Sequence, residues 1–373
     1  MAPCALVISP SSEGWFLPAL LSRAGWRCEV ISLSGVYTLS HHVQRVHQVA
    51  QVARLADEAL RVFEQRGIYD WVIPASDEVL GELCTRSLID QRFLKLLPIT
   101  GKEGRIHLFS KLNLSRILSR HCVPTPAWAA VDNLAMAFHQ AEVLGYPCFA
   151  KRDRSNGGVG TFRCVNAAVL EEIAARLKGE TFLLQQELKG KLWGVEALYW
   201  HGQLQAFAVS LCLSTISEFG PSLQRCYGQI PAGLDAPLQL IGKALSAHGW
   251  ANITMVQVHD DGPMQCIEAD MRPTVWLAID EHLGGDFART IQNLGQQSKG
   301  RLSACYSDHN HNDKLITHPQ RLVQLGASDQ RIQEALKLLS DEAPAFLEEL
   351  LKQKFSALLP AGTGHFRGSK TNY

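Results

Sequence analysis

Two carboxylates stand two residues apart near the end of VQVHDDGPMQCIEADMRP, residues 256–273. On a β-strand, Glu268 and Asp270 would point to the same face, followed there by Arg272, while Gln257 flanks the same hairpin. Two carboxylates on one face repel each other unless a cation neutralises them, and oxygen ligands at this spacing suit Mg²⁺ bridged to phosphates. An exposed hairpin face with a surface Glu–Arg pair is the alternative.

A lysine followed by a glycine-dense turn occurs in FAKRDRSNGGVGTF, residues 149–162. Gly157, Gly158 and Gly160 form backbone that accepts positive φ and can approach a ligand closely, which favours phosphate. The segment is not Gly-x-x-x-x-Gly-Lys-Ser/Thr, because Lys151 precedes the glycines, and it is not Gly-x-Gly-x-x-Gly. A β-turn with surface glycines is the alternative.

A strand exit with acidic residues occurs in FLLQQELKGKLWGVEALYW, residues 182–200. An apolar strand ends in Gln185, Gln186 and Glu187, Leu188 follows, and Glu196 lies on the next strand. Backbone N–H and C=O groups at such an exit could pair with a purine edge, while a carboxylate accepts hydrogen bonds from ribose hydroxyl groups. An edge strand followed by a turn is the alternative.

The composition is that of a globular protein without an extreme charge. The 373 residues are 46% hydrophobic, enough for two or three domains. Lysine plus arginine equals aspartate plus glutamate at 36 each, which gives no global attraction to nucleic acid or to an anionic membrane. Because the ten cysteines are scattered singly, and no signal peptide or long apolar run is visible, we expect a cytoplasmic protein.

The elements that must position these residues follow from the periodicity. The start, CALVISP with WFLPALLSRAGW and CEVISLSG, predicts a β-α-β unit. We then expect a long helix over 42–66 and a strand in YDWVIPASDE, whose polar end is where open α/β sheets bind ligands. A helix closed by Pro-Thr-Pro follows, then a smaller α/β unit around Lys151 and a series of hairpins. Helices dominate after about residue 284.

The order of the pieces is more informative than any one of them. Lys111, which alone would be typical of a solvated charge on a helix, is followed after forty residues by Lys151 and its glycine loop. The strand exit with its acidic positions comes next, and then Glu-x-Asp-x-Arg at 268–272. This arrangement resembles the ATP-grasp superfamily over residues 1–300, in particular its carboxylate–amine ligase and carbamoyl-phosphate-synthase-like branch.

The resemblance implies an α/β fold in which a pre-ATP-grasp α/β domain, residues 1–100, precedes a two-lobed ATP-grasp fold. The amino-terminal lobe would span 101–190, with its lid-bearing part at about 124–187, and the carboxyl-terminal lobe with the metal site would span 191–300. Residues 301–373 would be mainly helical. Their apolar positions at helical spacing suit packing on the core or a subunit contact, as in a homodimer.

The resemblance also implies how ATP is held. Lys111 and Lys151 would contact its phosphates, and Arg272 would join Lys151 in catalysis by steadying an acyl phosphate. The loop that closes over the phosphates would contain Ser155, Gly157, Gly158, Gly160 and Thr161.

The same resemblance places the rest of the nucleotide and the substrate. Gln186, Glu187 and Leu188 would hold the adenine, and Glu196 would hold the ribose. The loop STISEFGPSLQRCYGQIP would contribute to the acceptor site, where Arg225 could pair with a substrate carboxylate. A surface arginine is the alternative reading of Arg225.

The metal site departs from the common pattern of the superfamily. Glu268 and Asp270 would bind Mg²⁺, or Mn²⁺ in its place, with Gln257 at the position of a ligand that is more often acidic. The usual final motif is Glu-x-Asn-Pro-Arg, whereas this chain has Asp270 and Met271. Arg152 follows the loop lysine where proline is usual. Asp270 can still ligate Mg²⁺, so ATP binding is expected, with the number of metal ions left open.

These parts predict an ATP-dependent ligase that activates a small-molecule carboxylate as an acyl phosphate and couples it to an amine. The alternative is a nucleotide-binding regulatory protein with a drifted ATP-grasp site, for which Gln257 and Arg152 are the best support. A stand-alone relative of carbamoyl-phosphate synthase ranks lower. We expect no nucleic-acid or membrane partner, and the spacing in CYSDHNHND, residues 305–313, fits no zinc site well.

Overall fold

The computed structural model describes residues 2–296, apart from 12, 156, 216, 261 and 283–285, and beyond them residues 314–317, 322, 331, 345, 346 and 349. The strands of this part are β1 Cys4–Ile8, β2 Arg27–Ser32, β3 Arg45–Gln48, β4 Trp71–Pro74, β5 Trp128–Val131, β6 Cys148–Arg152, β7 Thr161–Cys164, β8 Phe182–Gln186, β9 Lys191–Trp200, β10 Gln203–Thr215, β11 Ser222–Tyr227, β12 Gly249–Gln257, β13 Met264–Asp270 and β14 Lys314–Thr317. The α-helices are α1 Leu17–Arg23, α2 Leu55–Arg66, α3 Asp77–Ile89, α4 Lys111–Arg120, α5 Leu134–Leu144, α6 Ala167–Arg176, α7 Asp235–Ala244 and α8 Phe287–Gln296. Short 3₁₀ helices cover Gly35–Leu39, Val52–Arg54, Gln91–Leu96, Lys102–His107 and Val275–His282.

The amino-terminal sheet is parallel, with the strand order β3-β2-β1-β4. β1 is a continuous buried apolar run, as expected for a parallel strand that is covered on both faces. From β1 the chain moves to β2 and β3 on one side and later adds β4 on the other. This change of direction opens a crevice at the carboxyl ends of β1 and β4, which is where such sheets bind ligands.

The expected long helix over residues 42–66 is wrong in its first half. Arg45–Gln48 form strand β3, and α2 begins only at Leu55. β3 is an edge strand whose side chains are exposed or half-exposed, so no apolar periodicity marks it in the sequence.

The second sheet is antiparallel, with the order β5-β8-β6-β7, and α5 and α6 pack on it. Each of these helices begins after an asparagine, Asn133 or Asn166, whose side chain accepts the backbone N–H three residues on. The sequence predicted the two inner strands β6 and β8 but not β5 or β7, which are short edge strands. Strand β6, which carries Lys151, is therefore fixed by backbone pairing on both sides.

The third sheet is antiparallel and has the order β13-β12-β9-β10-β11-β14. His201 and Gly202, with φ of 50° and 75°, form the predicted turn between β9 and β10. The predicted hairpin of β12 and β13 is also confirmed. β14 falls in the region predicted to be mainly helical, but most of 301–373, with CYSDHNHND, lies outside the described residues.

The parallel sheet and the third sheet share a core. Trp71 of β4 packs against Trp250 of β12 and Trp200 of β9, with ring centroids 6.3 Å and 5.5 Å apart. Such aromatic pairs contribute about 0.5–1.5 kcal/mol each beyond the area they bury. This packing holds the carboxyl ends of β1 and β4 in a fixed position relative to β12 and β13.

Candidate active site

A cleft of about 780 Å³ lies where the three sheets meet. Its walls come from the carboxyl edge of the parallel sheet, the start of α4, strands β6 and β8, the loop between β10 and β11, and the hairpin of β12 and β13. Clefts of this size commonly hold small-molecule ligands and cofactors. The chemistry of the cleft depends on which charged groups these walls present.

Lys111 enters the cleft from the first turn of α4. Ser110 caps this helix, and Asp153, just after β6, accepts hydrogen bonds from the Ser110 hydroxyl at 2.8 Å and from the Leu112 N–H at 2.9 Å. The carboxylate at the helix amino terminus also suits the helix dipole. Asp153 thus joins the helix that carries Lys111 to the strand that carries Lys151.

Lys151 lies deeper in the cleft. Its ammonium group donates a hydrogen bond to Gln185 Oε1 at 2.8 Å and lies 5.7 Å from the centre of the Phe149 ring. Burial, together with the nearby charge of Lys111, lowers the pKa of Lys151 to about 8, although Glu268 acts in the opposite direction. The positive charge of Lys111 disfavours the charged form of Lys151, so a polyanion that pairs with both lysines would be stabilised here.

The glycine loop after β6 lies against the loop between β10 and β11. Gly157, Gly158 and Gly160 have φ of 60°, 82° and 80°. A Cβ on Gly158 would lie 2.2 Å from the Phe219 carbonyl oxygen, which is closer than any side chain permits. Lys111 Nζ donates to the Ser155 carbonyl at the base of the loop. Only glycine at position 158 therefore allows the loop to cover the cleft in this way.

Glu268 and Asp270 share one face of β13, as predicted from their spacing. Across the hairpin they pair with Thr254 and Asn252, and all four residues line the cleft. Glu268 Oε1 lies 3.9 Å from Lys111 Nζ, a distance that allows attraction without a hydrogen bond. The acidic pair therefore faces the two lysines across the cleft.

Arg272 is held by Asp77, the first residue of the helix that follows strand β4 of the parallel sheet. Its Nε and Nη2 donate to the two carboxylate oxygens of Asp77 at 2.5 Å and 2.7 Å, and Nη2 lies 3.3 Å from Asp270 Oδ2. Asp77 begins α3 directly after β4, and its neighbour Ser76 caps that helix. This bidentate pair fixes the plane of the guanidinium group at the cleft.

The acidic pair has the donor chemistry of a site for a hard cation. Burial, and next the charge of Glu268, raise the pKa of Asp270, while Arg272 opposes the shift. A cation held by the two carboxylates would favour their charged forms and so oppose this rise. Carboxylate oxygens are the ligands that Mg²⁺ and Mn²⁺ prefer, so the residues present fit such an ion.

Comparison with solved structures identifies the fold. The N5-carboxyaminoimidazole synthetase of Staphylococcus aureus, in complex with ADP, is 14% identical with a TM-score of 0.64, over 89% of this chain and 86% of that one. The biotin carboxylase domain of Hydrogenobacter thermophilus 2-oxoglutarate carboxylase has the same identity and score, over 81% and 71%. An L-amino acid ligase from Bacillus licheniformis scores 0.59 at 15% identity, over 79% and 74%. The chain has the ATP-grasp fold.

No protein-family profile and no curated protein matches the sequence. The predicted fold class, an α/β protein with the ATP-grasp arrangement, is nevertheless confirmed, because ATP-grasp structures align over most of the chain. In the described part of this ATP-grasp chain, no helix is both long and apolar enough to cross a membrane. The nine described cysteines are all free thiols.

Most of the residues predicted from sequence line the ATP-grasp cleft. These are Lys111, Lys151, Ser155, Gly157, Gly158, Thr161, Gln186, Leu188, Arg225, Glu268, Asp270 and Arg272. Gly160, Glu187, Glu196 and Gln257 are not among its lining residues. Gly160 faces Arg152, whose Cβ would lie 2.9 Å from an added Cβ, and Glu187 accepts two hydrogen bonds from Arg163 Nε at 3.0 Å.

Gln257 does not come together with the other two predicted metal ligands. Asn252, Thr254 and Val256 line the cleft in the alternating pattern of a strand, and Gln257 falls out of that pattern. Its amide is occupied elsewhere, by the Trp193 Nε1–H at 3.2 Å and the Asp260 carbonyl at 2.7 Å. Because strand side chains alternate, an error of one residue moves a side chain to the opposite face.

Glu196 lies beneath the cleft and does not face a ligand. Its carboxylate is 1% exposed and accepts hydrogen bonds from Arg225, Asn252 and Thr274. The predicted contact with ribose therefore lacks a free carboxylate oxygen at the cleft surface. Arg225, offered as a substrate residue, has its charge paired with Glu196 and its guanidinium 4.4 Å from the Trp276 ring.

Sequence analysis assigned no role to three residues that organise the cleft. Asp77 holds Arg272, Asp153 holds the start of α4, and Gln185 holds Lys151. Asp77 had a signal, since it stands in the polar end of the predicted strand YDWVIPASDE. Asp153 and Gln185 stand in the segments of the glycine loop and the strand exit, but their partners lie 41 and 34 residues away, so the sequence did not show what they hold.

Proposed function

We propose that the protein is an ATP-dependent ligase that activates a small-molecule carboxylate as an acyl phosphate and couples it to an amine. The observation that carries the proposal is one cleft, in an ATP-grasp fold, lined by Lys111, Lys151, Glu268, Asp270 and Arg272. ADP, MgADP and bicarbonate are ligands of the structural neighbours, and one neighbour is an amino acid ligase. At 13–15% identity these neighbours support the reaction type and not the substrates.

The proposed reaction has two steps. A carboxylate oxygen attacks the γ-phosphorus of ATP, the bond to the β-phosphate oxygen breaks, and ADP leaves. The amine nitrogen then attacks the acyl carbon, phosphate leaves, and the amine loses a proton. Phosphoryl transfer depends mainly on positioning and on neutralised charge.

Residues of this chain would supply both the positioning and the neutralisation of charge. Lys111 and Lys151 would pair with the phosphates, while Asp153 and Gln185 fix their positions. Glu268 and Asp270 would hold Mg²⁺, which would neutralise part of the phosphate charge when it is bound. Arg272, oriented by Asp77, would contact the acyl phosphate.

A screen for ADP release tests the proposal. Purified protein is incubated with ATP, Mg²⁺ and pools of carboxylic acids and amino acids, and ADP is measured with a coupled assay. Stimulation by one pool supports the ligase and begins to identify the acid and the amine. Binding of ATP without stimulation by any pool would favour the regulatory alternative.

The pH dependence of turnover should report Lys151. Its ammonium form binds phosphate, and that form is lost as the pH rises through about 8. We therefore expect kcat/KM for ATP, which reflects the free enzyme, to fall above about pH 8. Lys151→Arg should remove this alkaline limb, because arginine stays charged. If kcat/KM of the Lys151→Arg variant still falls above about pH 8, the titrating group is a residue other than Lys151.

Gly158→Ala should weaken ATP binding through the glycine loop. A non-glycine residue at φ of 82° costs roughly 1–2 kcal/mol, and its Cβ would collide with the Phe219 carbonyl. We expect KM for ATP to rise roughly tenfold. Val159→Ala is the matched control, since Val159 lies in the same loop and is 69% exposed. Equal KM values in the two variants would argue that the loop does not close over the nucleotide.

A further inference from the structure

A buried carboxylate at the base of the cleft fixes the orientation of an amide that lines the cleft with Glu268 and Asp270. Glu196 accepts hydrogen bonds from Arg225 Nη1 at 3.1 Å and 3.2 Å, from Asn252 Nδ2 at 2.8 Å and from Thr274 Oγ1 at 2.8 Å. An ionised carboxylate can only accept, so the NH₂ group of Asn252 must be the end that faces Glu196. The oxygen of the Asn252 amide is therefore turned away from Glu196.

Asn252 lies directly beside the acidic pair. On β12 it is the register partner of Asp270 on β13, and Thr254 is the partner of Glu268. Side chains paired in this way share a face, with Cβ atoms about 4.5–5.5 Å apart. Asn252 Oδ1 makes no hydrogen bond within the described part of the chain, and Asn252 lines the cleft with both carboxylates.

The side chains that position Asn252, which are Glu196 and Arg225, are held firmly by their surroundings. The Arg225 guanidinium group lies between the Trp276 ring, 4.4 Å from its centroid, and the backbone of Gly194. A Cβ on Gly194 would lie 2.9 Å from Arg225 Cζ, so the glycine makes room for the arginine. Arg225 and Glu196 are 7% and 1% exposed, which leaves their geometry little freedom.

Gln257, by contrast, is poorly placed to contact a cation held by Glu268 and Asp270. It pairs with Met264 and Lys191 near the turn of the hairpin, three residues and roughly 10 Å along the strand from Thr254. Both ends of its amide are already hydrogen-bonded, to Trp193 and to the Asp260 carbonyl.

We propose that Asn252, oriented by Glu196, supplies a neutral oxygen ligand to the divalent cation held by Glu268 and Asp270. This inference rests on the proposed function. Amide oxygens are ordinary ligands of Mg²⁺ and Mn²⁺. No cluster of three His, Cys, Asp or Glu side chains suited to a metal occurs among the described residues, so a third protein ligand at this place would be of another residue type. Glu196 and Arg225 are then positioning residues and not ligand contacts.

Binding of Mn²⁺ in the presence of ADP tests the assignment. The free ion is measured by electron paramagnetic resonance during titration of the full chain. We expect Asn252→Leu, which keeps the shape but removes the oxygen, to weaken Mn²⁺ binding roughly 10- to 100-fold. Gln257→Met, the matched change at the competing position, should leave it unchanged. Asn252→Ala serves as a second variant if the leucine variant fails to fold, and thermal unfolding is measured for each.

The affinity for ADP without metal separates the possible results. It should be the same in wild type and in the Asn252 variants, because the proposed role is to bind the cation. Unchanged Mn²⁺ binding in Asn252→Leu, or an equal loss in Gln257→Met, would overturn the inference and leave the ligase proposal intact. A loss of metal-free ADP binding would assign Asn252 to the nucleotide and also overturn it. If the wild-type chain binds neither ADP nor Mn²⁺ with ADP, the proposed function itself fails.

Discussion

Lys151→Ala is expected to lower ATP-dependent ADP release by a factor on the order of 10² to 10³, the usual effect of losing one electrostatic contact to the transition state. Lys151 is held in position for such a contact. Its strand is paired on both sides, and Gln185 and Phe149 fix the ammonium group. The charge developing on the transferred phosphoryl group would therefore meet a cation that needs no rearrangement.

An exposed lysine that lies outside the cleft, Lys178, provides the control. Lys178→Ala removes a positive charge from an exposed position after α6 and should leave turnover unchanged. Lys151→Arg should retain more activity than Lys151→Ala, because it keeps the charge but not the geometry. Undiminished ADP release by purified, folded Lys151→Ala would refute the assignment of the cleft to ATP.

The parts of the site that could be predicted are those set by local geometry. Glu268, Asp270 and Arg272 were expected on one face because side chains on a strand alternate, and the period of two acts within five residues. The same holds for the glycine loop, whose positive φ angles follow from residue type. Sequence alone therefore located the two walls of the cleft.

The parts that could not be predicted depend on register and on distant partners. Gln257 was placed at a metal-ligand position by the resemblance, as a residue that flanks the hairpin, but Asn252, Thr254 and Val256 are the residues of β12 that face the cleft. Which face of a strand points into a cleft depends on how the strand packs in its sheet, and the sequence of this hairpin does not mark it. The structure instead directs attention to Asn252, which carries no motif.

Charge pairing across the chain is a second feature that the sequence does not show. Arg225 and Glu196 each suggested a ligand contact when considered alone, yet each neutralises the other across 29 residues of sequence. Arg272 similarly finds Asp77 at a separation of 195 residues. Buried charges are usually paired, so an isolated charged residue in a sequence overstates the number of groups free to bind a ligand.

Glu268→Ala is the second variant for which we expect a loss of ADP release on the order of 10² to 10³-fold. Its folding should be little affected, since the side chain is 41% exposed and its contact with Lys111 is a 3.9 Å ion pair. Exposed pairs of this kind contribute about 0–1 kcal/mol. Glu171→Ala, on the exposed face of α6, is the matched control and should behave as wild type.

The role of Glu268 can be separated from a merely structural one by nucleotide binding without metal. Removing a carboxylate close to the phosphates relieves repulsion, so Glu268→Ala should bind metal-free ADP as well as wild type or more tightly. Its binding of Mn²⁺ with ADP should be weakened, and more Mg²⁺ should be needed for half-maximal turnover. A variant that loses metal-free ADP binding to the same extent as turnover would show instead that the hairpin had lost its shape, and wild-type turnover would remove Glu268 from the site.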